Sequence, residues 1–65
     1  MIIMYSTHCP LCRVLERKLI EKNIDFDEIT DEDTIIARGI KNVPMLDING
    51  QLFTFAESIR WVDSQ

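Results

Sequence analysis

The stretch Met1-Ile2-Ile3-Met4-Tyr5-Ser6-Thr7-His8-Cys9-Pro10-Leu11-Cys12 decides the fold of this 65-residue chain. Met1 to Tyr5 is apolar, too short for a helix and rich enough in isoleucine for a buried strand. Ser6 to Cys9 is small and polar, a loop suited to opening a helix. Pro10 fits the first helical position, where the missing N–H is no loss. Leu11, Val14, Leu15, Leu19 and Ile20 then recur at helical spacing between charged residues, which predicts a helix through Lys22. Asn23 is a suitable stop.

Outward from there, Ile24 to Ile29 alternates in part, as a half-buried or edge strand does. Thr30 or Asp31 caps a short second helix through Arg38, with acidic residues in its first turn and Gly39 at its end. Val43 to Ile48 predicts a strand and Gln51 to Phe55 its return. Asn49-Gly50 between them is a strong hairpin signal, because both residues accept positive φ. Ala56 to Ser64, with Ile59, Trp61 and Val62, suits a last short helix. The order β-α-β-α-β-β-α predicts one α/β domain over residues 1–65. Its first half is a βαβ unit, its second a hairpin with a covering helix, and a four-stranded mixed sheet flanked by helices closes it.

The composition narrows the function. Hydrophobic residues make up 46% and charged residues 28% of the chain, the balance of an ordinary globule rather than a disordered tail. No apolar run approaches the roughly 18 residues that span a bilayer. Met1 to Met4 lacks a basic leader and a cleavage site, so no signal peptide, no membrane partner and a cytoplasmic location are expected. The formal charge of -4 argues against a nucleic-acid partner. Four of the seven basic residues fall between Arg13 and Lys22, alternating with Glu16 and Glu21. That reads as a solvated helix face with pairs such as Arg17 and Glu21.

The two cysteines, Cys9 and Cys12, stand three apart. A disulfide across so short a loop removes little entropy from the unfolded chain, so stapling explains the pair poorly. A bare CxxC also leaves open two small apolar fillers. Placed between a strand and a helix, the spacing points to redox chemistry or metal binding. A sulfur at a helix start faces free amide N–H groups and the positive end of the helix dipole, and both favour thiolate. Cys9 is therefore the expected nucleophile. Cys12, one turn into the helix and more enclosed, is the expected resolving thiol. Zinc wants four ligands, and one chain offers both cysteines and at best His8. No single-chain metal site is assigned. The alternative is an iron–sulfur or zinc carrier with a site at Cys9 shared between two chains.

On these residues the chain resembles a glutaredoxin. Cys9-Pro10-Leu11-Cys12 resembles the family's CPYC active site. Val43-Pro44, with the Met-Leu-Asp-Ile-Asn-Gly that follows, resembles its TVP segment and hairpin. The resemblance covers essentially the whole chain. It implies a thioredoxin-like fold with Pro44 cis and facing the cysteines. It also implies that the Val43 backbone pairs with the cysteine of glutathione or of a substrate peptide. Thr7, His8, Leu11, Phe55 and Ala56 complete the substrate-binding positions that the comparison suggests.

Three departures bear on the electron donor. Leu11 stands where the family has an aromatic residue. Thr7 and His8 occupy a shorter loop without the family's basic residue. Thr54-Phe55-Ala56-Glu57-Ser58 replaces its glycine-rich turn. Two donors stay open: glutathione as a co-substrate, and a thioredoxin-reductase-like flavoprotein. No tightly bound cofactor is expected, the partner is a disulfide-containing protein or glutathione, and the chain is expected to be a monomer. His8 either lowers the Cys9 pKa or shuttles protons, or is an exposed loop residue that does neither, the reading its position favours. Tyr5, Phe53 and Trp61 read as packing residues; Phe55 reads as packing or, standing in place of the family's glycine-rich turn, as lining of the substrate groove. Asp47, between Leu46 and Ile48, either faces solvent past the second helix or accepts a proton from Cys12.

Overall fold

In the computed structural model, which describes residues 1–65, the elements run β1 (Ile2–Tyr5), α1 (Pro10–Glu21), β2 (Asp27–Ile29), α2 (Glu32–Ala37), β3 (Met45–Ile48), β4 (Gln51–Phe53) and α3 (Phe55–Asp63). The strands form one mixed sheet in the order β2-β1-β3-β4. β1 lies parallel to β2 and antiparallel to β3, and β4 returns antiparallel to β3. The molecule is thus a small α/β protein with a four-stranded mixed sheet. No helix is long and apolar enough to cross a membrane.

Strand alternation sorts the side chains into two layers. Met4 of β1 and Leu46 of β3 face α1 and α3, where they join Cys12, Leu15, Leu19 and Val62 in a fully buried cluster. Tyr5 points the other way and packs with Ile35 of α2 and with Ile40, beside Ile3, Met45 and Leu52. The buried stripe of α1 is narrower than its apolar sequence positions suggest. Cys12, Leu15 and Leu19 are buried, while Leu11, Val14 and Ile20 are about half exposed. The expected Arg17–Glu21 pair does not form. The ion pair α1 makes is Lys18–Asp63 at 2.9 Å, which ties it to α3.

Two helix ends share one geometry. Asn23 (φ 57°) and Gly39 (φ 82°) take the left-handed conformation. Each donates to the carbonyl three residues back, and the next residue, Ile24 or Ile40, donates to that of Leu19 or Ile35. This is a Schellman ending, and it brings each following isoleucine against the layer its helix covers. It also shortens β2. Ile24 is occupied in closing α1, and Phe26 packs on the α1 layer, so pairing starts at Asp27 and not at Ile24.

The last helix begins earlier than the alternation of Gln51 to Phe55 predicts. Thr54 Oγ1 accepts from the Glu57 amide at 3.3 Å, and the Glu57 carboxylate accepts from the Thr54 amide at 3.0 Å. This reciprocal capping box ends β4 at Phe53 and makes Phe55 the first helical residue. Thr54→Ala is expected to lower stability by about 1 kcal/mol, read as a lower urea midpoint at unchanged slope.

Asp47 corrects both expectations. It is buried, on the α2 side of the sheet, facing away from Cys12. Its carboxylate accepts from the Gly50 amide at 2.7 Å and pairs with Arg38 at 2.9 Å. It therefore clasps the hairpin turn, where Asn49 and Gly50 both have positive φ, to the end of α2. A proton-accepting role toward Cys12 is ruled out by the side of the sheet it occupies.

Candidate active site

The loop Ser6 to His8 carries the chain from β1 to α1. Ser6 is fully buried, and its amide donates to the Ile29 carbonyl at 3.1 Å, so the loop is anchored at β2. His8 then adopts φ 62° and turns the chain into the helix. Cys9 is the N-cap of α1, with extended backbone and Pro10 at the first helical position. Its Sγ accepts from the Cys12 amide at 3.2 Å, where a capping serine would place its oxygen.

The two sulfurs, both free thiols, differ in kind. Cys9 is partly exposed and Cys12 is buried. The Cys9 thiol is held below its ordinary pKa. The Cys12 side chain contributes most; burial, second in size, opposes it, and the amides of Cys12, Leu11 and Cys9 add smaller lowering effects. The Cys12 thiol is pushed up, first by burial and then by its hydrogen bond to Cys9. One sulfur is thus prepared to be a thiolate and its neighbour to stay protonated. His8 is not among the groups that lower the Cys9 pKa. Its imidazole lies instead near the carboxylates of Glu16 and Glu28. What lowers the Cys9 pKa is the partner thiol and the helix amides.

A pH profile reads this asymmetry. The rate of Cys9 alkylation follows its thiolate fraction, so its half-point should fall below the ordinary thiol value. Cys12→Ala removes the largest cause of the shift and is expected to move that half-point up. Cys12 in the unmodified chain should be labelled only at higher pH.

The remaining predicted positions are only partly brought together. Val43-Pro44 is cis, and Pro44 is fully buried. Cys9, Val43 and Phe55 all border the cluster that contains Cys12. Thr7 and Val43 also line a shallow groove of about 240 Å³ with Ile35, Ile36, Ile40, Glu32 and Lys41. Leu11 is half exposed on the first turn of α1, and Ala56 is exposed on α3; neither lines the groove.

The groove residues from α2 and its following loop were not legible as site residues. One signal was present: Ile35 and Ile36 are adjacent on a six-residue helix, so only one can point into the core. Ile35 is buried and Ile36 is 70% exposed.

No family model and no curated protein matches this chain.

Proposed function

We propose that the chain is a thiol–disulfide oxidoreductase of glutaredoxin-like, thioredoxin-fold type, working through Cys9 and Cys12. The observation that carries this reading is the inequality of the two sulfurs: a partly exposed N-cap thiol with lowered pKa, and a buried thiol one turn on with raised pKa. The βαβαββα order and the Val43-Pro44 bend bordering the same cluster support it.

The Cys9 thiolate attacks one sulfur of a substrate disulfide. The substrate S–S bond breaks, and its second sulfur leaves as a thiolate that takes up a proton. Cys12 then gives up its proton and attacks Cys9 Sγ, expelling the first substrate sulfur. The substrate gains two electrons and two protons, and the chain is left with a Cys9–Cys12 disulfide. Cys12 needs its low acidity only while Cys9 is a free thiolate. Once Cys9 is in a mixed disulfide it carries no negative charge, so a Cys12 thiolate is no longer opposed by a neighbouring anion. The groove at Thr7 and Val43 is where an extended segment next to the substrate cysteine would lie, with Lys41 at its edge. Electrons return from two glutathione molecules or from a flavoprotein reductase.

The test is reduction of a small-molecule disulfide by the isolated chain, run in parallel with glutathione plus its reductase and with a thioredoxin-reductase-type flavoprotein. Turnover is expected with at least one donor, and the donor that works assigns the partner. A chain with two titratable thiols and no turnover with either would overturn the proposal.

A further inference from the structure

Three side chains that take no part in the bond-making steps of disulfide exchange converge beside the loop leading into Cys9. They are His8 from that loop, Glu16 from α1 and Glu28 from β2. One ligand atom of each lies within 4.8 Å of the other two. We propose that His8, Glu16 and Glu28 form a site for a divalent metal ion of intermediate hardness, Zn²⁺ or Mn²⁺, distinct from the cysteines.

Four observations support a bound cation. The ligands come from three separate elements, so helical or strand spacing alone does not explain their meeting. Neither carboxylate makes an ion pair with Lys or Arg: the two such pairs of the molecule are Lys18–Asp63 and Arg38–Asp47. His8 makes no ion pair or hydrogen bond with either glutamate. The imidazole and the two carboxylates thus stand within 4.8 Å of one another with no direct bond among them. Finally, the buried Ser6 hydroxyl donates to Glu28 Oε2 at 3.0 Å. Ser6 thereby fixes the carboxylate from behind, as outer-shell partners of metal ligands do.

The donor set selects the ion. One imidazole with two carboxylates suits Zn²⁺ or Mn²⁺ better than Ca²⁺ or Mg²⁺, which take oxygen donors, or Cu⁺, which takes sulfur. Bonds of about 2.0–2.2 Å to a tetrahedral ion place ligand atoms about 3.3 Å apart. Small rotations of His8 and Glu28, both exposed, and of the half-buried Glu16 would close the present spacing to that value. Water completes the shell on the open side. A bound ion would tie the Ser6–His8 loop to α1 and β2 at the amino end of the helix that Cys9 caps.

The experiment is a titration of the full-length reduced chain with Mn²⁺, followed by backbone amide NMR. Mn²⁺ avoids thiolates and broadens signals near its site. Broadening is expected to centre on residues 6–8, 16 and 28, and Zn²⁺ should reverse it by displacement. His8→Asn keeps a residue tolerant of positive φ but removes the ligand. It and Glu28→Gln should each weaken binding at least about tenfold, and Ser6→Ala should weaken it within the range of about 10–100-fold. Zn²⁺ should also raise the melting temperature of the unmodified chain, and of Cys9→Ser, but not that of Glu28→Gln. The proposal is overturned if broadening centres on Asp31 to Asp33, if the His8 and Glu28 variants bind unchanged, or if Zn²⁺ raises the melting temperature only when Cys9 is present. None of these outcomes decides the Cys9–Cys12 exchange, whose bonds form and break at the two sulfurs alone.

Discussion

Replacing Cys9 by serine is expected to abolish disulfide reduction, whereas replacing Cys12 by serine should stop the reaction halfway. A serine hydroxyl is not ionised near neutral pH, so the helix amides that favour a thiolate at Cys9 have no anion to stabilise. Turnover should fall by at least about a thousandfold, the scale on which loss of a covalent nucleophile is felt. Cys12→Ser differs because the backbone amide of residue 12 still donates to Cys9 Sγ. Cys9 stays reactive, attacks once, and has no second sulfur to release it. The product should be a stable mixed disulfide, one substrate half per chain, read by mass spectrometry without reductant. Full activity in Cys9→Ser would exclude the mechanism.

The second large effect is on folding. Leu15→Ala is expected to destabilise the chain by about 2–5 kcal/mol. Leu15 is fully buried, in the cluster where Met4, Cys12, Leu19, Leu46 and Val62 meet. A chain of 65 residues has a total stability of about 3–10 kcal/mol, so this one cavity removes much or all of it. The neighbouring Val14 is 45% exposed, and Val14→Ala should change stability by no more than about 0.5 kcal/mol. Urea denaturation of both variants checks the pair: a large drop in midpoint for Leu15→Ala, little change for Val14→Ala. Equal effects would mean that α1 packs on the sheet through a different face.

How far the sequence led depends on whether the determining interaction is local. Asn23 and Gly39 as helix stops, Asn49-Gly50 as the hairpin and Pro10 as the first helical residue are all local choices of backbone conformation. Each appears in the structure where its chemistry predicts. The start of α3 was equally local, since Thr54 and Glu57 have capping-box spacing. There the alternation of Gln51 to Phe55 competed with the capping signal, and the reciprocal hydrogen bonds prevail in the fold.

Tertiary features were not legible in the same way. Asp47 looks like a misplaced charge in a buried strand until Arg38 and the Gly50 amide are seen to converge on it. His8 next to Cys9 invites a catalytic role, but the left-handed turn at His8 accompanies an imidazole near Glu16 and Glu28. The inequality of the two thiols, one partly exposed and one buried, was legible because it follows from where a helix begins. The groove at Thr7 and Val43 was not, because α2 and its following loop supply most of it.

The inequality of Cys9 and Cys12 is most directly tested by mixing the fully reduced, unmodified chain with a disulfide and quenching with acid at short times. Peptide mapping then shows which sulfur reacts first. The first adduct should sit on Cys9 and convert, without added reductant, into the Cys9–Cys12 disulfide. An adduct forming first on Cys12, or on both sulfurs at equal rates, would contradict it.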